Sequence, residues 1–130
     1  MRFLDTNVLV YALGTDERAE VARTLVADGG VIAVQSLNEF TDVSKRKLKK
    51  DWPEVAADIE ALLITCTVFE RVTVELQAEG RRLADRYGLR IFDAMLVATA
   101  LEASCDAFIS EDLQDGMVFE GRLAVSNPFA

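Results

Sequence analysis

The chain has 130 residues, of which 51% are apolar, and its formal net charge at pH 7 is −8. This length predicts one domain, and the apolar fraction predicts a packed core rather than a disordered chain. The negative charge argues against a protein that binds nucleic acid through a generally basic surface. No apolar stretch approaches the roughly 18 residues of a membrane-spanning helix, and no secretory signal is recognisable, so we expect a cytoplasmic protein without membrane contact.

The sequence contains two cysteines and no histidine. We expect Cys66 and Cys105 to be free, buried thiols rather than a disulfide, which fits a cytoplasmic location. Without histidine, a zinc or copper site is disfavoured, and oxygen ligands remain the candidates for binding any metal.

The first half of the chain alternates between short apolar strands and amphipathic helices. A strand over residues 1–4 is followed by a helix for which Asp16 is the predicted N-cap. A second strand over residues 31–34 leads into a helix that Ser36 would cap. The next helix should carry Pro53 in its first turn, where the missing N–H costs nothing.

The second half of the chain continues this alternation. A third strand is predicted over residues 68–72, before a helix that stops at Gly88. The helix predicted over residues 93–104 is apolar nearly all round, which indicates a central and well-covered position. A fourth strand follows over residues 107–109, and residues 123–125 are a candidate for a fifth.

Alternating strands and helices predict an α/β fold with one domain over residues 1–130. We expect an α/β/α sandwich whose central, mainly parallel sheet has four to five short strands, covered by helices on both faces. In such sheets, ligands bind beyond the carboxyl ends of the strands. Asp5 and Asp112 both fall at or just past predicted strand ends.

Four acidic residues mark the ends of predicted elements, namely Asp5, Glu39, Asp93 and Asp112. A buried or half-buried carboxylate is costly unless it is paired or bound to a metal. We therefore interpret the four acids as a candidate site for hard divalent cations, since carboxylate oxygens suit Mg²⁺ or Mn²⁺.

Asp5 and Asp93 also have structural interpretations. Asp5 can cap a helix that starts at Thr6, and an acid such as Asp93 is favourable at a helix N-terminus. For both residues we favour a metal ligand, because Ser would cap the helix without an electrostatic cost and because the helix of Asp93 is the most buried one. Thr6 and Asn7 would then support the site as hydrogen-bond donors.

Glu39 and Asp112 are more ambiguous. Ser36 and Glu39 have the spacing of a capping box, in which the glutamate accepts from the backbone of the cap residue. Asp112 can be a solvated loop acid, and Glu111 and Asp115 compete with it for the same role. From spacing alone, the sequence leaves both interpretations open.

Basic residues cluster at 45–50 and 81–90. In the first cluster, Lys45, Arg46 and Lys49 fit an RNA-contacting patch about as well as a solvated helix face. We interpret the second cluster as a surface face rather than a binding site.

Four segments carry a family resemblance that spans essentially the whole chain. They are Asp-Thr-Asn-Val-Leu-Val from Asp5, Ser-Leu-Asn-Glu-Phe from Ser36, Ile-Phe-Asp-Ala-Met-Leu-Val-Ala-Thr-Ala from Ile91, and Ser-Glu-Asp-Leu-Gln-Asp-Gly from Ser110. In this order and at these separations, together with the Asn-Pro-Phe ending, they resemble the PIN-domain family, and more narrowly the VapC-type toxins of bacterial toxin–antitoxin pairs.

The resemblance implies an Mg²⁺- or Mn²⁺-dependent endoribonuclease that cleaves single-stranded RNA with a metal-activated water and leaves a 5′-phosphate and a 3′-hydroxyl. It implies that Asp5, Glu39, Asp93 and Asp112 are the catalytic acids, with Ser110 as a supporting hydroxyl and Asp115 beside them. We expect Asp5 and Asp93 to hold the primary ion, Asp112 to complete the coordination of that ion or hold a second one, and Glu39 to bind metal through water or orient the nucleophile. A homodimer and a cognate antitoxin are the implied partners.

Two other functions compete with this one. In the first, the chain is a catalytically silent PIN-fold binding module whose acidic cleft only receives a protein partner. In the second, it is a phosphoryl-transfer protein with Asp5 as nucleophile, which is disfavoured because position 7 is Asn and no lysine follows residue 50.

Overall fold

Six short strands form one sheet in the computed structural model, which describes residues 1–130. The strands are β1 (Arg2–Leu4), β2 (Val31–Ala33), β3 (Thr67–Phe69), β4 (Ala107–Ile109), β5 (Val118–Phe119) and β6 (Leu123–Ser126). The helices are α1 (Thr6–Ala12), α2 (Ala19–Ala27), α3 (Val34–Arg46), α4 (Trp52–Thr65), α5 (Val74–Tyr87) and α6 (Ile91–Glu102).

The sheet has the strand order β3-β2-β1-β4-β6-β5. All neighbouring strands are parallel except β5 and β6, which form an antiparallel pair at one edge. The predicted α/β fold with a mainly parallel sheet is confirmed, but the predicted number of strands is too low. β5 was missed because its two residues are too few to give a periodic pattern.

Alternating side chains of the central strands build a core on each face of the sheet. Phe3 and Phe108 stack at 5.2 Å between ring centres on the face that α5 and α6 cover. Leu4 and Ile109 point to the opposite face, where α1 to α4 pack. The layers are therefore helix, sheet and helix, as the sequence predicts. None of the six helices combines the length and apolar character that crossing a bilayer requires.

Helix α6 is the most deeply buried helix, with seven of its twelve residues buried. It packs against α5 where Gly80 faces Met95, and a Cβ atom at position 80 would collide with the Met95 side chain. This close approach fixes the position of α6, whose first turn carries Asp93.

Two predicted N-caps are wrong. Helix α2 begins at Ala19, and Asp16 instead accepts a 2.9 Å hydrogen bond from the Arg18 N–H in the preceding turn. Helix α3 begins at Val34, directly after β2, which places Ser36 inside the helix. The Ser36 hydroxyl accepts a 3.0 Å hydrogen bond from the backbone N–H of Ala33.

Other signals for element ends are confirmed. Pro53 lies in the first turn of α4, and Gly88 ends α5 in the left-handed conformation with a φ of 67°. Cys66 and Cys105 are free and buried. The bounds of several elements differ from the predicted ones by up to three residues: the third strand ends at Phe69, and α6 begins two residues before Asp93.

Candidate active site

Parallel pairing of β1 with β4 brings Asp5 and Ser110 together at the carboxyl edge of the sheet. Leu4 is in register with Ile109, and the Asp5 N–H donates to the Ile109 carbonyl at 3.0 Å. The Ser110 hydroxyl then donates to Oδ2 of Asp5 at 2.7 Å. In the strand order, β2 lies on one side of β1 and β4 on the other, so the order of the strands reverses between β1 and β4. Open α/β sheets bind ligands at the carboxyl edge of such a switch point.

Asp5 is 5% exposed and has an unfavourable environment for a charge. Burial raises the pKa of Asp5 to about 6, although hydrogen bonds from the Ser110 hydroxyl and the Thr6 N–H act in the opposite direction. The negative charges of Asp112 and Asp93 raise it further. Asp5 is also the N-cap of α1, so its structural role and its place in the acidic cluster coexist. A bound cation would favour its ionised form.

The side-chain amide of Asn7 connects Asp5 with Asp112. Its amide Nδ2 lies 3.3 Å from Oδ2 of Asp5 and 3.2 Å from Oδ2 of Asp112, and it donates to both. The Ser110 hydroxyl accepts a 3.0 Å hydrogen bond from the Asp112 N–H. The segment after β4 is therefore held against the start of α1 by the Asn7 amide and the Ser110 hydroxyl.

Glu39 projects from α3 toward the same cleft. The Thr6 hydroxyl donates to Oε1 of Glu39 at 2.7 Å, and the Gln35 amide donates to Oε2 at 2.9 Å. Since α3 begins before Ser36, Glu39 cannot close the capping box that its spacing suggests. Its carboxylate is oriented by residues of the site instead.

Asp93 lies in the first turn of α6 and is half-buried. Burial raises its pKa, the Arg90 guanidinium lowers it, and the charges of Asp112 and Glu39 raise it. Asp93, Glu39 and Asp112 line one cleft of about 740 Å³, and the buried Asp5 is hydrogen-bonded to Asn7, which also lines it. The structure thus brings the four predicted acids together.

Glu111 and Asp115 are engaged outside the cleft. Glu111 accepts a 2.6 Å hydrogen bond from the Tyr11 hydroxyl, and Arg18 lies 3.4 Å from its other oxygen. Asp115 accepts a 2.9 Å hydrogen bond from the Asn127 N–H. Of the three neighbouring acids, Asp112 alone lines the cleft.

Basic side chains form part of the cleft wall. Of the three selected from the sequence, Arg46 lines the cleft, whereas Lys45 and Lys49 do not. Lys45 donates to a backbone carbonyl instead. Lys47, which was not selected from the first cluster, also lines the cleft. Arg90 lines it too, so the interpretation of the second cluster as a surface face is wrong for this residue. Arg90 directly precedes α6 and lies three residues before Asp93. This spacing places two side chains on the same face of a helix, so it could have indicated that Arg90 lies near Asp93.

Gln35 was also missed. It lies four residues before Glu39, a spacing that places two side chains on the same face of a helix. Its amide reaches both the Glu39 carboxylate and the Phe92 carbonyl, at 2.9 and 3.1 Å. The signal was present in the sequence, but many polar pairs share this spacing.

The donor atoms of the cleft fit a hard divalent cation by their chemistry. They are carboxylate, hydroxyl and amide oxygens, which Mg²⁺ and Mn²⁺ prefer. No group of three or more carboxylate or thiol side chains is close enough to form a ready-made metal centre. Thr6, Asn7, Gln35 and Ser110 donate hydrogen bonds to the carboxylates of Asp5, Glu39 and Asp112, whereas the Asp93 carboxylate accepts none.

Comparison with known proteins gives one family match. The family model described as the PIN domain matches residues 2–114. No curated protein matches the chain in sequence at a significant level.

Several solved structures share the fold. A toxin-antitoxin complex from Klebsiella pneumoniae superposes with a TM-score of 0.76 at 19% identity, covering 99% of this chain and 98% of that one. VapC20 of Mycobacterium tuberculosis, described as a sarcin-ricin loop cleaving toxin, has a TM-score of 0.69 at 19% identity, with coverage of 86% and 92%. FitAcB from Neisseria gonorrhoeae has a TM-score of 0.64 at 22% identity, with 99% coverage of both chains.

Proposed function

Because the chain belongs to the PIN-domain family, we propose that it is a metal-dependent endoribonuclease and the toxin of a toxin–antitoxin pair. One observation carries the proposal: Glu39, Asp93 and Asp112 line one cleft, and the buried Asp5 is joined to Asp112 through the Asn7 amide. Burial and neighbouring negative charges raise the pKa values of Asp5 and Asp93, so these two carboxylates are costly to ionise without a bound cation. Titratable side chains held in such an unfavourable state are typical of functional sites.

Asp5 and Asp93 would hold an Mg²⁺ or Mn²⁺ ion, and Asp112 would complete its shell or hold a second ion. When bound, such an ion polarises a phosphodiester oxygen and lowers the pKa of a bound water. Glu39 would orient the attacking water, since Thr6 and Gln35 hold both of its oxygens in place. Ser110 and Asn7 would keep Asp5 and Asp112 at a constant separation.

The proposed substrate is single-stranded RNA, cleaved to a 5′-phosphate and a 3′-hydroxyl. Unpaired strands can present their phosphates and bases to a cleft that a duplex would not enter. Arg46, Lys47 and Arg90 line the cleft beside the acids and would bind the phosphates that flank the scissile one. This local basic wall reconciles RNA binding with the net charge of −8.

The proposed protein partners are an antitoxin and a second copy of the chain, in the cytoplasm. The similar structure from Klebsiella pneumoniae is a toxin-antitoxin complex, which supports the antitoxin. A basic side chain of such a partner would be attracted by the same four carboxylates that serve the metal.

Cleavage of a labelled single-stranded RNA tests the proposal. The wild-type protein should cleave in Mg²⁺ and stop in EDTA, and Asp93→Asn should lose about 100-fold or more of the activity. Asp42→Asn is the matched control, because Asp42 lines the same cleft but is exposed and paired with Arg46. Cleavage by Asp93→Asn at the wild-type rate would overturn the proposal.

A silent binding module remains the second candidate, and one observation favours it. The carboxylates of Asp5, Glu39 and Asp112 already accept hydrogen bonds from protein donors, and no three of the acids form a ready-made metal centre. Such a module would show no stabilisation by Mg²⁺ and no Mg²⁺-dependent cleavage, whereas the proposed nuclease would show both.

A further inference from the structure

Phe92 is an aromatic side chain at the mouth of the candidate active site. It directly precedes Asp93 in the first turn of α6 and is 57% exposed. It lines the acidic cleft and also a smaller neighbouring groove of about 290 Å³. A ring so exposed contributes little to the core, and large apolar groups beside a charged cleft are typical of contact surfaces.

The backbone of Phe92 is tied to the acidic cluster. Gln35 donates to the Phe92 carbonyl at 3.1 Å and to Oε2 of Glu39 at 2.9 Å. One amide group therefore joins the start of α6 to the carboxylate on α3. The backbone that carries the Phe92 ring is thereby held close to Glu39 and Asp93.

The groove beside Phe92 has an apolar floor and polar edges. Its lining includes Phe69, Leu76 and Met95, with the amides of Gln35 and Asn38 on the side that faces the cleft. Gln35, Asn38 and Phe92 line both spaces, so the groove is continuous with the cleft.

These features match an unpaired nucleobase better than a phosphate. A base has apolar faces that stack on aromatic rings and polar edges that pair with amides. Arg46, Lys47 and Arg90 line the cleft and not the groove, so the backbone phosphates would remain in the cleft. The groove has one basic side chain, Arg71, whose guanidinium already lies over the Phe69 ring and 3.4 Å from the Glu102 carboxylate.

We propose that Phe92 is a substrate-contacting residue that stacks on one unpaired base next to the scissile phosphate, with that base in the adjoining groove. This inference rests on the proposed action on RNA and adds a subsite to it. Stacking on the ring would fix the position of the RNA strand relative to the acidic residues. It would accept any base at that position, since every base has a π-face. The carbonyl oxygen of Gln35, whose N–H groups are already bonded to Glu39 and Phe92, and the amide of Asn38 would then add a preference among bases.

The test is a coupling measurement between protein and RNA. A fluorescent single-stranded RNA and a set of copies with one abasic position each are bound to wild-type and Phe92→Ala protein in EDTA, which stops cleavage. The wild-type protein should lose about tenfold in affinity at one abasic position. Phe92→Ala should lose about tenfold with intact RNA and nothing further at that position, because the contact is already gone.

Two other variants sharpen the comparison. Phe92→Trp keeps a ring and should restore the wild-type affinity. Trp52→Ala is the matched control, since Trp52 is 62% exposed but lies outside the cleft beneath Lys45, and its loss should not change RNA affinity. Equal melting temperatures of wild-type and Phe92→Ala protein would show that the fold is intact.

The outcomes separate this inference from the nuclease proposal. Wild-type cleavage in Mg²⁺ with additive losses from Phe92→Ala and the abasic positions overturns the base subsite alone. Coupled losses without any cleavage support the subsite and overturn the nuclease. A wild-type protein that binds none of the RNAs overturns the subsite. Unchanged RNA affinity of Phe92→Ala overturns it as well. If light scattering then shows that this variant has dissociated from dimer to monomer, Phe92 is a contact between two copies of the chain instead.

Discussion

The Ser110 hydroxyl donates a 2.7 Å hydrogen bond to Oδ2 of Asp5, joining residues that are 105 positions apart in the chain. The contact follows from the parallel pairing of β1 and β4, which ends both strands at the same edge of the sheet. The same hydroxyl accepts from the Asp112 N–H, so one buried group connects the first and fourth acidic segments. The candidate site is thus assembled by the sheet itself.

Ser110→Ala should weaken both stability and cleavage. The substitution removes the donor to Asp5 and the acceptor of the Asp112 N–H, and Ser110 is fully buried. Leaving buried polar groups without a partner costs about 1–3 kcal/mol. Urea unfolding and RNA cleavage measure the two effects. Ser126→Ala, at an exposed residue at the end of β6, is the control and should change neither stability nor cleavage. A Ser110→Ala protein as stable and active as wild type would contradict the account.

Asp5→Asn should stabilise the metal-free protein at pH 7.5. Burial raises the pKa of Asp5 to about 6 from its ordinary 3.8, so the folded protein holds a proton that the unfolded chain releases between these values. Wild-type stability should therefore fall as the pH rises from about 4 to about 6 and stay constant above it. The neutral amide avoids this loss of about 1–3 kcal/mol.

The pH dependence provides the control for this variant. At about pH 4, where folded wild-type protein carries a protonated Asp5, the free energy of unfolding of Asp5→Asn relative to wild type, in urea with EDTA present, should be lower by about 1–3 kcal/mol than at pH 7.5. A stability difference that is the same at pH 4 and pH 7.5 would show that the charge of Asp5 is not its cause.

Thr6→Val should slow cleavage and leave the fold intact. Valine has nearly the shape of threonine but cannot donate the 2.7 Å hydrogen bond to Glu39. Freed from this contact, the carboxylate loses its orientation, and we expect a rate reduction of about tenfold with little change in KM. Thr6→Ser keeps the hydroxyl and should restore the rate, so equal rates for Val and Ser variants would argue against the role of this hydrogen bond.

Asp112→Asn and Glu111→Gln should differ sharply in activity. Glu111 is held by Tyr11 and Arg18 outside the cleft, whereas Asp112 lines it. We expect about 100-fold loss of cleavage for Asp112→Asn and a change of less than about threefold for Glu111→Gln. The reverse order would show that Glu111, and not Asp112, is the fourth acid.

The sheet and the convergence of Asp5 with the segment after β4 were predictable, because buried parallel strands and the acids that follow them obey simple spacing rules. The antiparallel pair at the sheet edge was not, since β5 has only two residues and its partner strand stabilises it. Sequence patterns describe neighbours along the chain, and an element this short depends on its neighbours in space.

Glu39 shows a second limit. Its spacing from Ser36 satisfies the capping-box pattern, and the start of α3 at Val34, directly after β2, is what removes that interpretation. Asn7 and Gln35 show a third limit. Their partners Asp112 and Phe92 are 105 and 57 positions away, so only the assembled fold shows these two contacts, although the sequence had indicated Asn7 as a donor to the site.

Thermal unfolding at increasing Mg²⁺ concentration, at constant ionic strength and pH 7.5, tests most directly whether the four carboxylates form one cation site. Ligand binding to the folded state should raise the wild-type melting temperature by several degrees, corresponding to about 1.4 kcal/mol at tenfold above the Kd. Asp42→Asn should respond like wild type, whereas Asp5→Asn and Asp93→Asn should not respond. A wild-type protein insensitive to Mg²⁺, or an equal response in the Asp5→Asn variant, would contradict the account.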